Sequence, residues 1–259
     1  MSSAAPAEIS RGAPPRIGEL RALIPTAVLV ILVVAMPATA PLFHWLFPAL
    51  ERPVYVRASF VTLTVDHIVL VVAASIPVVI LGVAAGIWVT RPAGREFAGI
   101  LDTITAVGQT FPPAAILAIA VPIVGYGPEP TLIALFAYGI LPVVDNTIAG
   151  LRGVSPAALD AASGMGFTAT GRLWRIELPL AGPVILAGIR TSVMVAIGTA
   201  TIGSTVGALS LGSPIIEGLT GSNTAYVLQG AILVGALAIA TERLFAWLDG
   251  RLRQRISGR

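Results

Sequence analysis

Apolar runs of about 20 residues recur along this chain, and a run of that length fits a helix crossing a hydrocarbon layer about 30 Å thick. Six segments qualify: 22–43, 60–89, 97–123, 131–150, 181–206 and 226–248. They predict an all-α membrane protein of about six transmembrane helices. Composition supports this over a soluble fold, because 56% of the 259 residues are hydrophobic, only 11% are charged, and mean hydropathy is +0.89. Pro77, Pro112 and Pro113 fall inside these segments, where membrane helices tolerate them if neighbours satisfy the freed backbone groups, so kinks are expected.

All 16 basic side chains are arginine, and the net charge is only +3. The small excess is positional and reads as topology, not as a nucleic-acid footprint. With a cytoplasmic N-terminus, six crossings return the C-terminus to the same side. Arg11, Arg16, Arg21, Arg91, Arg95, Arg152, Arg172, Arg175, Arg251, Arg253, Arg255 and Arg259 then lie inside, with Arg52 and Arg57 outside. Residues 1–20 read as a cytoplasmic polar tail, 21–250 as one transmembrane domain and 251–259 as a cytoplasmic C-terminal tail. The small residues of "MPATA" would suit signal cleavage, but the long tail before the first apolar run and the spans after it favour a retained helix.

Several chemistries are excluded by residue type. With no cysteine there is no disulfide framework, thiolate metal site or Cys nucleophile. His44 and His67 are the only histidines, too far apart for an H-E-x-x-H zinc site, and without lysine no phosphate-cradling G-x-x-x-x-G-K-[ST] loop exists. An intramembrane enzyme is therefore poorly supported.

The stretch "LDAASGMGFTATGRLWRIELP", Leu159 to Pro179, interrupts this apolar chain with charge and glycine. Ser155-Pro156 suits a helix start, with serine as cap and proline at the first helical position. Gly164 and Gly166 should break that helix, Thr168 or Thr170 should cap a second one, and Pro179 should end it where the fifth span begins. The product is a projection of helix, glycine turn and helix. It could be a docking element, or an amphipathic piece lying on the membrane with Arg172 and Arg175 near anionic headgroups.

Asp160-Ala161-Ala162, then Gly166, then Ile176-Glu177-Leu178-Pro179 have the residues and spacing of one known signature. The stretch resembles the "EAA" motif of ATP-binding-cassette importer permeases, with Asp160 in place of glutamate. Residues from about 60 to 250 are most similar to permeases for osmoprotectants, meaning glycine betaine, choline, carnitine and related quaternary ammonium solutes. Val107 to Gly127, Tyr138 to Gly166, Leu178 to Gly212 and Gly218 to Ile232 carry that resemblance. Asp145 departs from it, standing where a basic or apolar residue is expected before Asn146-Thr147.

The resemblance implies a type I importer permease fold in a bacterial plasma membrane, with 155–179 as the coupling segment. Asp160, Ala161, Ala162, Gly164, Gly166 and Arg172 would meet the cytoplasmic ATPase. It also implies a second permease chain, identical or a sister, and an extracytoplasmic solute-binding protein whose aromatic cage would hold the ammonium group. ATP and Mg would be bound by the partner ATPase chains, with no cofactor and no catalytic residue in this chain. Membrane lipid is the remaining partner, and no nucleic acid is expected.

Gln109, Thr110, Pro112, Asn146, Thr199, Thr201 and Ser204, with Thr147 and Thr205, place polar groups or proline within or near spans. They either line the solute path and its gate or join helices by hydrogen bonds. Gly203 and Gly207 are spaced for close helix contact. Asp66 and His67 near the outer end of the second span could attract cationic solute or relay protons, or be satisfied at the interface or by a neighbouring helix. An ion-gradient-driven secondary transporter would use that pair, but would leave the segment 160–179 without a purpose. An ATP-binding-cassette permease for another small solute is the other alternative. Trp45, Trp88 and Trp247 near span ends suit interfacial anchors.

Overall fold

The computed structural model describes residues 15–108, 110–256 and 258. The chain runs through α1 (Pro15–Ala35), a 3-10 turn, α2 (Ala40–Leu46), α3 (Phe60–Val89), α4 (Ala98–Gly108), α5 (Pro113–Val124) and α6 (Pro128–Arg152). It continues through α7 (Pro156–Gly164), α8 (Ala169–Arg172), α9 (Leu178–Gly203), α10 (Ser213–Thr220) and α11 (Thr224–Ile256). Among the described residues there is no strand.

Five helical stretches are long and apolar enough to cross a membrane: Leu23–Leu46, Phe60–Val89, Pro128–Arg152, Ala169–Val206 and Thr224–Ile256. The expected span 97–123 is not a single helix. It is two short helices, α4 and α5, separated at Thr110–Pro112. Pro113 lacks the N–H that would continue the ladder, and Pro112 forces its predecessor out of the helical region, so α5 restarts from an extended Pro112 (ψ 140°).

Contacts at glycines fix how the helices run. A Cβ on Gly82 would meet Val143 and one on Gly86 would meet Thr147, so α3 and α6 are parallel. Gly139 lies against Ser192, Gly188 against Asn146 and Gly150 against Ala181, so α9 is antiparallel to α6. Because α3 and α6 are parallel, the chain between them must return to its starting end. The pair α4 and α5 makes that return in two pieces, giving six passages from five continuous crossings and one broken one.

Close approach is built into this centre. A Cβ at Gly188 would come within 2.5 Å of Asn146, and one at Gly203 within 2.5 Å of Thr131. Gly203 is therefore a helix-packing position, whereas Gly207 is not. It adopts φ +94° in the turn that closes the helix after Ser204–Val206, so the two glycines do not act as one motif.

At the end of the bundle away from Arg91 and Arg152, the 47–59 connection is tied down by distant residues. Gln229, fully buried, accepts from the Tyr55 N–H (3.1 Å) and donates to the Pro53 carbonyl (2.6 Å). Asn223 donates to the Arg52 carbonyl (3.0 Å), and the Tyr55 hydroxyl donates to Glu217 (2.8 Å). The Tyr55 ring packs edge-on to Tyr226 at 5.3 Å. At the opposite end α11 continues through Ile256, with Leu252 against Gly182 and Arg251 over the Trp247 ring at 4.4 Å.

Candidate docking site and pathway residues

The projection between α6 and α9 starts as its sequence predicts. Ser155 accepts from the Ala158 N–H (3.3 Å), with Pro156 in the first turn of α7. The helix ends when the Gly166 N–H bonds Ser163 O (3.0 Å) and the Phe167 N–H bonds Ala162 O (3.1 Å). That pair of bonds, with Gly166 at φ +81°, is the left-handed closure for which glycine is the least strained residue. Thr168, not Thr170, then caps α8 by accepting from the Gly171 N–H (3.1 Å).

One side of the projection is anchored. Leu151, Val154, Ala181 and Ile185 form a small buried core that takes in Ala158, Leu159, Leu173 and Leu178. The other side is open. Asp160 and Ala161 are exposed while Ala162 is buried, and Met165 and Trp174 are 67% and 65% exposed. A Cβ at Gly164 or Gly166 would meet no atom within 4 Å. Beside them lies a cleft of about 370 Å³ bordered by Gly166, Phe167, Thr168, Gly171 and Arg175. The turn thus presents bare backbone that another surface can approach closely.

Arg172 faces inward. Its Nε donates to Glu177 Oε1 (3.0 Å) and its Nη1 to Ser163 Oγ (3.2 Å), bracing α8 against α7. Glu177, only 5% exposed, accepts through its other oxygen from Arg91 Nη2 at 2.5 Å. Arg91 follows the end of α3, so this carboxylate joins the projection to the connection leading into α4. Sequence reading missed Glu177 as a hub. Its signal was a carboxylate in apolar surroundings, but nothing in the sequence located Arg91 beside it.

Pro179 does not end the second helix. Leu173–Glu177 form a π turn that leads directly into α9, with Pro179 in its first turn, and the stretch Ala169–Val206 is continuous. A wider turn ahead of proline relieves the clash between its ring and the carbonyl four residues back. The projection and the long helix are therefore one mechanical element.

The pathway candidates do not converge on one site. Thr110 is exposed in the α4–α5 break and Pro112 borders α5, while Gln109 lies outside the described residues. The Asn146 amide donates to the Pro142 carbonyl (2.8 Å), and the Thr147 hydroxyl to Val143 O (2.7 Å). Thr199 is buried, and Thr201 donates to Ile197 O (3.2 Å). Thr199 follows Gly188, the contact of Asn146, by 11 residues, or about 16 Å of helix.

Ser204 belongs to a hydroxyl cluster, 2.9 Å from Ser210 Oγ and 3.2 Å from Ser213 Oγ, that folds the 204–213 turn back onto α9. Asp66 is half-buried and the next residue of α3, His67, is wholly buried. Trp45 is 77% exposed, and Trp88 packs at a tilt on Phe97 with centroids 5.0 Å apart.

Known proteins resemble this chain in sequence and in fold. The family model described as "Binding-protein-dependent transport system inner membrane component" matches residues 79–254. The osmoprotectant import permease protein OsmY of Salmonella typhimurium is 38% identical over 186 residues, 72% of this chain and 79% of the relative. The choline transport system permease protein OpuBB of Bacillus subtilis is 39% identical over 189 residues, 73% of this chain and 86% of the relative. The glycine betaine/carnitine/choline transport system permease protein OpuCB of the same organism is 37% identical over 183 residues, 71% and 83% of the two chains.

Among solved structures, an inward-facing MetNI methionine ABC transporter superposes with a TM-score of 0.66 at 18% identity, covering 74% of this chain and 95% of that one. That likeness is one of fold. With the matched segment extending from α3 through the projection to α11, the chain belongs to the family of inner-membrane permease components of binding-protein-dependent ATP-binding-cassette transport systems.

Proposed function

We propose that this chain is the permease subunit of an ATP-driven importer for quaternary ammonium osmoprotectants, the class of glycine betaine, choline and carnitine. The observation that carries the importer reading is the projection 155–177, anchored on one side and open over Gly164 and Gly166 on the other. The solute class is supported by the names of relatives that are 37–39% identical over more than two thirds of the chain.

In this reading the arginine-rich end and both termini face the cytoplasm, and residues 21–250 form the permease domain. Asp160, Ala161, Gly164 and Gly166 enter a cleft of the ATPase, which binds ATP and Mg, while Ala162, expected from the sequence to meet the partner, is wholly buried and packs the projection from inside. Arg172 holds the shape of the projection, and Arg175 and Trp174 meet the partner directly. Closure of two ATPase subunits moves the projection, and α9 moves with it because the helix is continuous. Through Glu177 and Arg91 the same displacement reaches α4 and the break at Thr110–Pro112. A second permease chain completes the path, and an extracytoplasmic binding protein delivers solute to the opposite end.

The test is uptake of labelled glycine betaine, with choline and carnitine as competitors, by high-salt cells lacking their own osmoprotectant importers. The cells express this chain with a partner ATPase and binding protein of the same transport family, and Gly166→Trp serves as control. Uptake that is lost with Gly166→Trp together with ATPase copurification supports both parts of the reading. Assembly without uptake of any quaternary ammonium solute removes the solute class and keeps the architecture.

A further inference from the structure

Helices α9 and α11 hold an ion pair that neither the projection nor the tied-down opposite end uses. Arg190 donates from Nε to Glu242 Oε2 at 2.6 Å and from Nη2 to Oε1. Arg190 is the thirteenth of the 26 residues of α9. Nearby Ser192 lies against Gly139, the twelfth of the 25 residues of α6, so the pair sits near mid-depth of the bundle. Its side chains are nevertheless 42% and 33% exposed. Charge left open to hydrocarbon at that depth is strongly unfavourable, so this face meets water or protein.

The flanking surface agrees. Val184, Ala187, Thr191, Val195 and Gly198 recur at three- and four-residue spacing on α9, all exposed and none larger than valine. A Cβ at Gly198 would meet nothing within 4 Å. On α3 the exposed face carries isoleucine as well, with Ile68, Ile76 and Ile80 beside Val65 and Val72. One face suits acyl chains, and the other is small-sided around a charge pair.

We propose that Arg190 and Glu242 form a station on the solute path that engages zwitterionic ammonium carboxylates. This rests on the importer reading above. The Arg190 fork that holds Glu242 takes the solute carboxylate, and the freed Glu242 faces the ammonium group. A zwitterion replaces both partners at once and leaves no charge unpaired. A simple cation such as choline engages Glu242 but strands Arg190, so the station favours zwitterions over cations.

Two measurements on the assembled complex test this. First, the ratio of glycine betaine to choline uptake is compared for wild type and Arg190→Gln/Glu242→Gln, with assembly checked by ATPase copurification. The ratio is expected to fall at least tenfold, and an unchanged ratio overturns the proposal. Second, the chain contains no cysteine, so Thr191→Cys supplies a single thiol. That thiol should react with a trimethylammonium methanethiosulfonate and be protected by glycine betaine. Absence of labelling both without nucleotide and in the vanadate-trapped state would place the face in lipid or packed protein and overturn the proposal, even if the double variant does not assemble. Failure of the wild type to import either solute would instead overturn the solute reading, a result kept separate because labelling is read without transport.

Discussion

The two ends of the bundle are held by different kinds of bond. At the arginine-rich end, the projection is shaped by contacts between near neighbours: Ser155 to Ala158, Ala162 to Phe167, Thr168 to Gly171, Arg172 to Glu177. Arg91 reaches it from far along the chain, 86 residues from Glu177. At the other end, Tyr55 and Pro53 bond Gln229 across separations of 174 and 176 residues, and Tyr55 meets Glu217 across 162. A locally closed unit keeps its shape while the helices beneath it tilt. An end knitted from distant strands of chain resists any separation of the helices it joins. The movable handle and the fixed seal thus differ in contact range, and substitutions should separate them.

Glu177→Gln should have the largest effect. It leaves the guanidiniums of Arg91 and Arg172 around a neutral group, and removing one member of a buried pair is worth about 3 kcal/mol, at the low end because both arginines keep some water. Thermal unfolding of the purified complex should show that loss, and transport should fall further than ATPase activity because the projection loses its link to α4. Transport and hydrolysis falling in parallel would argue against a mechanical role for the link.

Gln229→Leu should come next. It strands the Tyr55 N–H and the Pro53 carbonyl, at about 2 kcal/mol for the lost bonds. The 47–59 connection should become open to proteolysis while ATPase copurification is retained, since the opposite end is untouched.

Gly166→Ala should cost about 1 kcal/mol through the left-handed backbone alone, as a Cβ there meets no neighbour. Gly164→Ala, inside α7 with equal space, should stabilise the helix by up to about 1 kcal/mol. ATPase binding should nonetheless weaken in both if the partner packs onto bare backbone, and the opposite signs in stability distinguish strain from contact.

Tyr55 should give the smallest effect near neutral pH. Burial, and then its hydrogen bond to Glu217, push the phenol above its ordinary value of 10.0. The neutral form is favoured in the fold, so its contribution is complete below pH 10 and is lost as pH rises beyond that. The seal should therefore hold steady between pH 6 and about 9 and weaken above about 10. Tyr55→Phe should cost about 1 kcal/mol at neutral pH and flatten that alkaline decline.

What was legible in the chain follows from range. Ser155-Pro156, Gly166 and Thr168 act within five residues of themselves, and their roles can be read from residue type alone. The break at Pro112-Pro113 was legible as a kink, yet its consequence was not, because two short apolar helices and one long one have the same composition. Pro179 misled for a related reason. Proline normally stops a helix, and only the π turn before it shows that the ladder continues. Gln109, among the pathway candidates, lies outside the described residues.

By itself the sequence determined the class of this protein. Apolar runs of spanning length fix a helical membrane fold because unpaired backbone groups have no partner in hydrocarbon, and the motif from Asp160 to Pro179 carries the family resemblance in a segment whose caps and glycine turn are local. Tertiary structure alone decided which helices run parallel, and hence that α4 and α5 together make one passage. It also decided that Arg91 reaches Glu177, that Gln229 seals the 47–59 connection and that Arg190 finds Glu242 at mid-depth. Those pairings depend on helix rotation and depth, which residues distant in the chain settle jointly through packing.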